Sequence, residues 1–546
     1  MADVTLSSVN TSSRTRVFCW ACAVALASAT LLLATSGPLP LVWDEGDTIV
    51  RAESLARLAE ETGAQGQPTF LEAVRWLSKW PYTIVREGHP PLAGLVIAAG
   101  TWLSPEWFDP LTRARFGPIL LFALAVGAMF YRLQREYQSW AVSVMAVASL
   151  LAMPRVFAHA HFATLDGPLT ACWVLAWATF APACRDWRWI PAFALALGLT
   201  LSAKFTGWLA PLPFLAWTIL YRSRGGLRAL LAGAPLALTV FLALNPPLWD
   251  HPRSGLQTFF SLNLHRADHP ALNISTQFFG RMYNLDFPLP WYNTLVWTAI
   301  TVSPVPMILG AAGIFTSLRN WRRDPAAMLL VFQWGTLIIA RALPFAPPHD
   351  AERLILPSFA FFAALIGVGL GRGLYRKSLV EPPSERIVPQ GWARVAMAIG
   401  LTAATFDCIS YFPHSLSYYN RLIGGVSGAT ALGMEPTYYW DSLDRTALTW
   451  LAEHTAEDEN IAFGAAPGSN LVLLDRWGLL HQRPGSFGQD RWYVIQRRPS
   501  ALQPWDLWLI EHETPAFERS FSGVPLLDVY SYEQYRRALA ASRNSR

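Results

Sequence analysis

Two adjacent carboxylates, Asp44 and Glu45, stand directly after the first long apolar run, within Trp43-Asp44-Glu45-Gly46-Asp47. A carboxylate held where an apolar helix meets water can act as a general base, a role contributing roughly 10²–10⁴ in rate once the group is positioned. The plainer alternative is solvated charge beside the membrane. Further on, Pro154-Arg155-Val156-Phe157-Ala158-His159-Ala160-His161 leads to Leu165-Asp166-Gly167-Pro168. Asp166 falls about one turn inside an apolar helix, and an ionisable group at that depth is a functional candidate by default. His159 and His161 are of a metal-ligating type, but no third ligand follows at metal-site spacing, so a divalent metal is not indicated.

Cations recur at the same kind of position. Arg113 and Arg115 open an apolar run, Lys204 sits in Leu201-Ser202-Ala203-Lys204-Phe205-Thr206-Gly207 between two others, and Arg353 ends His349-Asp350-Ala351-Glu352-Arg353 before another. Anchoring to lipid phosphate accounts for each alone, and the planar fork of arginine suits a phosphate held in a site equally well. Arg86 and His89, in Arg86-Glu87-Gly88-His89-Pro90-Pro91-Leu92, read either as part of a stiff proline corner or as lining of an anion site near the acids. Taken together the residues describe a cavity at membrane level, acids at one wall and cations around it, as a reaction on a lipid-linked phosphate requires.

The elements that must position these groups are membrane helices. The 546 residues are 52% hydrophobic and 15% charged, with 25 Trp, too apolar for several soluble domains. Apolar runs near the ~20 residues needed to span a bilayer occupy about 17–40, 113–132, 138–155, 162–183, 189–203, 206–221, 226–245, 292–318, 326–344, 354–372 and 392–412. The first is read as a retained helix rather than a signal peptide. The run 90–104 is short and reads as interfacial or re-entrant. Leaving it out places the loops around Arg132/Arg135, Arg185/Arg188, Arg222/Arg224/Arg228, Arg319/Arg322/Arg323 and Arg372/Arg376/Lys377 on one side, the cytoplasm by the positive-inside bias.

This predicts a polytopic α-helical membrane protein of about eleven transmembrane helices, residues 1–412, with its N-terminus in the cytoplasm and external loops at 41–112 and 246–291. A small C-terminal α/β domain, 413–546, follows outside. Helical patterns at 47–61 and 69–80 predict surface helices in the first loop. In the tail, 441–456 reads as helix and 460–463, 492–496 and 506–510 as strands. The formal charge of +5 resides in the basic loops, so nucleic acid is not implied. The five cysteines lie in or beside apolar runs and suggest neither disulfides nor zinc.

In order and spacing these residues resemble the integral-membrane glycosyltransferases of the GT-C class, specifically the protein O-mannosyltransferase-like (family 39) group and its aminoarabinose-transferase relatives. Asp44-Glu45 is similar to the acidic pair of that group's first external loop. His89-Pro90-Pro91-Leu92 is similar to its HPPL segment, Arg113 or Arg115 to the Arg of its next helix, and Leu165-Asp166 with Pro168 to its second acidic motif. Lys204-Phe205-Thr206-Gly207 resembles its Lys-x-x-Gly turn, His349 and Arg353 its His…Arg segment, and Tyr419-Asn420 with Gly424-Gly425 its YN…GG stretch.

The resemblance implies inverting transfer of a sugar from a polyprenyl-phosphate donor to an acceptor lipid, glycan or protein at the external face of a bacterial inner membrane, with no cofactor required. It makes Asp44 the base, with Glu45 and Asp166 as further acids of the catalytic site. Arg113, Arg115, Lys204 and Arg353 become candidates for the donor phosphate. Arg86, His89, His161, His349, Tyr419 and Asn420 become candidates for lining the substrate site. Loop 246–291 is too short for the extra sugar-binding-like domain of eukaryotic members, and His89 stands where the aminoarabinose branch has Lys, so the acceptor stays open. A transporter or flippase of lipid-linked sugars is the alternative, and it calls for polar groups at the bilayer midplane. A membrane sensor would leave the first-loop acids unexplained.

Overall fold

The computed structural model describes residues 11–64, 72, 80, 88–265, 273–374, 391–480 and 490–544. Arg86, and the expected surface helix 69–80 apart from Glu72 and Trp80, lie outside the described residues. The first half of the chain forms α1 (Thr11–Ala34), α2 (Glu45–Ala64), α3 (Leu92–Leu103), α4 (Pro110–Tyr137) and α5 (Trp140–Leu151). Next come α6 (Pro154–His159), α7 (Asp166–Arg185), α8 (Ile190–Ala203), α9 (Pro211–Leu220) and α10 (Arg224–Ala243). After α11 (Pro252–Leu264) and a hairpin of β1 (Thr276–Phe278) and β2 (Arg281–Tyr283) follow α12 (Asn293–Thr301), α13 (Pro304–Arg319), α14 (Pro325–Arg341), α15 (Leu356–Leu374) and α16 (Gly391–Tyr411).

Among the described residues, five stretches are long and apolar enough to cross a bilayer: Arg14–Ala34, Pro110–Tyr137, Asp166–Arg185, Arg224–Ala243 and Ala351–Arg372. Shorter apolar helices accompany them, as expected of a multi-pass membrane protein. Capping chemistry sets the ends. Asp109 accepts from the Thr112 amide at 3.1 Å with Pro110 at the first helical position, and Ser139, Ser223 and Asp324 cap α5, α10 and α14. Each cap satisfies an amide that the helix leaves without a partner.

The basic connections meet at one end of the bundle. Glu136 pairs with Arg132 at 2.6 Å and Arg185 at 3.6 Å, and Arg372 reaches Asp324 at 2.6 Å. Asp44, Asp166 and Lys204 belong to the opposite helix ends. Between the two ends α15 is buried along nearly its whole length, with Phe359, Phe361 and Phe362 in the core.

One expectation changes in the membrane half. The run 292–318 is two helices rather than one, because Pro304 has no amide to continue the ladder and Val302 and Ser303 are extended. The run 90–104 is the 12-residue helix α3, which packs along α4 at very close range. A Cβ on Gly117 would lie 2.0 Å from the Val96 carbonyl oxygen, and one on Gly100 would lie 2.2 Å from the Gly117 nitrogen. Small residues allow such approach where lipid offers no hydrophobic driving force between helices.

The chain beyond α16 contains α17 (Gly425–Ala431), α18 (Arg445–His454), β3 (Asn460–Phe463), α19 (Gly468–Arg476), β4 (Asp490–Gln496), α20 (Pro504–His512), β5 (Phe517–Phe521), β6 (Val524–Ser531) and α21 (Tyr532–Asn544). The sheet order is β3-β4-β6-β5, with β3 and β4 parallel and the other pairs antiparallel. The expected strand 506–510 is instead α20. Pro504 opens it, and Gln503 and Asp506 cap each other's backbone reciprocally, a start signal that overrides a short apolar run.

One sheet face packs on α20 and α21, where Tyr493 stacks on Tyr535 at 3.8 Å. The other buries Trp492, Val494, Leu527 and Val529 with Leu448, Leu451 and Leu473 of α18 and α19 and with Ile49 and Ala52 of α2. The tail thereby grips the first loop: Asn470 accepts from the Gly46 amide at 3.1 Å and donates to the Val42 carbonyl at 2.9 Å, and Arg476 pairs with Glu53 at 2.6 Å.

The α3–α4 contact yields a test. Gly117→Val forces a side chain into backbone and is expected to cost about 1–3 kcal/mol or more, read as a lower melting temperature in detergent. Gly468→Ala, in open space, leaves the melting temperature unchanged.

Candidate active site

Five segments far apart in the chain converge at the end of the bundle opposite the basic connections. Asp44 directly precedes α2, and its carbonyl accepts the Thr48 amide at 3.1 Å. Asp166 is the first residue of α7, where the helix dipole favours a carboxylate. Lys204 occupies an extended break after α8, and Arg353 lies in a single 3-10 turn, Ala351–Ile355, before α15. Tyr439 comes from the tail.

Their side chains form one network. Lys204 Nζ donates to Asp166 Oδ1 at 2.6 Å, and Arg353 Nη1 lies 3.7 Å from Asp166 Oδ2. Arg353 also donates to Asp44, to the Tyr439 hydroxyl and, through Nη2, to Asp350. The Tyr439 hydroxyl donates to Asp44 Oδ2 at 3.0 Å, and the Tyr439 ring lies under the guanidinium at 4.3 Å. Asp166, Lys204, Arg353 and Tyr439 are buried, whereas the Asp44 side chain keeps 38% of its surface exposed. One accessible carboxylate thus stands at the mouth of a buried cationic pair. Burial pushes the Lys204 ammonium below its ordinary value, against the opposing pull of Asp166.

Glu45 and Arg115 belong to a separate, fully buried pair. Arg115 Nε and Nη2 each meet a Glu45 oxygen at 2.7 Å, and the remaining guanidinium donors reach the carbonyls of Ser36, Leu39 and Pro40 at 2.8–3.1 Å. Glu45 also accepts the Ala163 amide at 2.8 Å. All five Arg115 donors are engaged inside the protein, so the pair ties the Asp44 segment to α4 and to the approach to α7.

The other expected residues are dispersed. Arg113 is half-buried and donates to Ser104 at 3.2 Å. His89 is half-buried just before α3. His161 bridges Thr35 and the Phe157 carbonyl at 2.9 and 2.7 Å, and burial lowers its pKa to about 3. His349 is buried 3.8 Å from Asp350. Tyr419 donates to the Glu435 carbonyl at 2.7 Å and lies under Arg155. Asn420 donates to the carbonyls of Ala299 and Val302 at 2.6 and 2.8 Å, while its own amide donates to Ile300 at 2.8 Å. Those carbonyls are the ones freed where α12 breaks before α13.

Behind Arg353 lies a second set of buried charges for which sequence gave only partial signal. Arg155 pairs with Glu352 at 2.7 Å, Glu352 accepts from the Tyr438 hydroxyl, and that hydroxyl lies 2.9 Å from His159 Nε2. Arg498 lies 3.6 Å from Asp350 and 3.3 Å from Glu435. Burial tends to raise Asp350, but Arg353, His349 and Arg498 outweigh it and hold its carboxyl below the usual range. At Glu435 burial prevails over Arg498, and the pKa rises. Arg155 and Glu352 flank residues already singled out, whereas the aromatic run Tyr438-Tyr439-Trp440 carried no spacing that tied it to the first loop. No group of three or more His, Cys, Asp or Glu able to hold a metal occurs among the described residues.

Residues 88–249 match the family model of the dolichyl-phosphate-mannose-protein mannosyltransferases. This stretch is mannosyltransferase-like. The resemblance read from its motifs is borne out there, over the part of the chain that holds His89, Arg113, Arg115, Asp166 and Lys204. No curated protein sequence matches the chain. Among solved structures it is similar to ArnT from Cupriavidus metallidurans bound to undecaprenyl phosphate, at 15% identity and TM-score 0.48, covering 93% of this chain and 97% of that one. It is also similar to the archaeal oligosaccharyltransferase AglB from Archaeoglobus fulgidus in complex with an inhibitory peptide and a dolichol-phosphate, at 14% identity and TM-score 0.44, covering 87% and 69%. A third likeness is to the S. cerevisiae protein O-mannosyltransferase Pmt1-Pmt2 complex bound to the sugar donor, at 18% identity and TM-score 0.31, covering 48% and 34%.

The two ion pairs predict different phenotypes. Glu45→Gln leaves Arg115 buried beside a neutral partner and is expected to destabilise by about 3–5 kcal/mol, seen as a lowered melting temperature and reduced yield of folded protein. Asp166→Asn removes the carboxylate paired with Lys204, but that side chain keeps 11% of its surface exposed where Arg115 keeps none, so the melting temperature falls less.

Proposed function

We propose that the protein transfers a sugar from a polyprenyl-phosphate donor to an acceptor hydroxyl or phosphate at the external face of a bacterial inner membrane, with inversion and with Asp44 as general base. The observation that carries this reading is the accessible Asp44 carboxylate beside the buried Lys204 and Arg353 cations. The mannosyltransferase family match supports it over residues 88–249.

In this reading Asp44 takes the proton of the acceptor hydroxyl as its oxygen attacks the anomeric carbon. The bond from that carbon to the phosphate oxygen breaks, and its electron pair leaves with the polyprenyl phosphate. The leaving group gains one negative charge, and a preorganised cation there contributes most where charge develops. Lys204 and Arg353 are those cations. Asp166 holds the Lys204 ammonium at 2.6 Å and orients it. In the state described here both cations are balanced by Asp44, Asp166 and Asp350, so an arriving phosphate competes with a carboxylate for Arg353. Asp44, partly exposed, is the partner most easily displaced, and its release frees the base when the donor is in place.

The lipid carrier lies in the bilayer, the C-terminal elements stand outside the membrane with the acceptor, and the polar groups sit at helix ends on one side. The reading requires no cofactor beyond the polyprenyl-phosphate sugar that serves as donor substrate.

The test is transfer of labelled sugar from a panel of polyprenyl-phosphate sugars by the full chain in lipid nanodiscs, wild type against Asp44→Asn. The expected result is turnover with one donor and a loss of a hundredfold or more in the variant, the scale of a removed base, at unchanged melting temperature. Equal rates for the two proteins overturn the assignment of Asp44.

A further inference from the structure

Resting on that reading, we propose that Tyr439, supplied by the tail beyond the last apolar helix, is a positioning residue that holds Asp44 in its reactive orientation while Arg353 turns to the donor phosphate. Asp44 has two side-chain hydrogen-bond partners among the described residues, Arg353 and the Tyr439 hydroxyl at 3.0 Å. Once a phosphate takes the Arg353 Nη1 hydrogen that Asp44 accepts, Tyr439, which accepts the other, is the partner that remains to Asp44. Its hydroxyl accepts from Arg353 and donates to Asp44, so the cation polarises the phenol towards the carboxylate. Burial raises the phenol pKa well above its ordinary value, which keeps the donated proton on Tyr439.

The backbone around Tyr439 shows how firmly it is placed. Trp440 has φ +55°, a left-handed conformation that a bulky side chain seldom adopts, and such strain persists only where the surroundings over-determine it. Here the Trp43 amide donates to the Tyr439 carbonyl at 3.2 Å, the Trp43 and Trp440 rings lie 4.0 Å apart, and Arg498 covers the Trp440 ring at 4.1 Å. Arg498 also donates to the Tyr438 carbonyl. The turn is clamped to the residue next to the base and, through Arg498 and Asp350, to Arg353.

Charged groups approach Asp44 from several elements. Arg353 with Asp350 comes from the turn before α15, Asp166 from α7, Lys204 from the end of α8, Tyr439 from the tail, and Glu45 and Asp47 follow on its own segment. A hydrogen bond donated to a carboxylate favours its ionised form, so removing the phenol hydroxyl is expected to move the acid limb of activity to higher pH.

The experiment measures pH–rate profiles of wild type, Tyr439→Phe, Tyr438→Phe and Asp44→Asn in nanodiscs with the donor that wild type consumes. Tyr439→Phe keeps the ring under Arg353, and the expected result is unchanged donor KM, kcat lower by about tenfold and the acid limb raised by about one pH unit. Tyr438→Phe, whose hydroxyl touches Glu352 and His159 but not Asp44, leaves the acid limb where it is. If folding fails in Tyr439→Phe, 3-fluorotyrosine at position 439 keeps the shape with a more acidic phenol and shifts the limb to lower pH. An unmoved limb in the position-439 variants with Asp44→Asn inactive overturns the positioning role and leaves the base assignment standing. Full activity in Asp44→Asn overturns both.

Discussion

A guanidinium enclosed by protein must be neutralised where it stands, and the geometry around Arg353 follows from that requirement. Desolvating one such charge costs several kcal/mol before any partner is counted. Asp350 lies three residues away on the same turn, Asp166 arrives at the start of α7, Asp44 at the start of α2, and the Tyr439 hydroxyl and ring come from the tail. Four segments are therefore held to one point by electrostatics. The apolar helices supply the rigidity that lets those contacts persist, and their close approach depends on small residues such as Gly100 and Gly117.

Adjacent acids of the same type have opposite fates. Glu45 is sealed with Arg115, its oxygens engaged by the guanidinium and by the Val42 and Ala163 amides. Asp44, one residue earlier, faces outward beside Arg353 with much of its surface open. The backbone turn into α2 separates them: one carboxylate fixes the loop, and the other keeps an exposed face beside Arg353.

Much of this was legible in the sequence because a bilayer simplifies the code. Apolar runs became helices at nearly the expected positions, β3 fell on 460–463 as read, and ionisable groups at the ends of apolar runs, Asp44, Asp166, Lys204 and Arg353, are brought together. The illegible part lay where meaning depends on a partner distant in the chain. Nothing in the type or spacing of Arg115 distinguishes a phosphate ligand from a guanidinium saturated by three carbonyls and a glutamate. Tyr439 could not be joined to Asp44, because 395 residues separate them and the tail's aromatic run follows no helical or strand period. In α20 a short apolar run read as a strand, and the Gln503/Asp506 cap makes it a helix.

The break between α12 and α13 makes this helix pair depend on a residue beyond the last apolar helix. The carbonyls of Ala299, Ile300 and Val302 lose their helical partners at Pro304, and the group that satisfies them is Asn420, up to 121 residues later in the chain. Native packing of the α12–α13 pair thus draws on a side chain and an amide from beyond α16, and a chain cut before Asn420 would lack both.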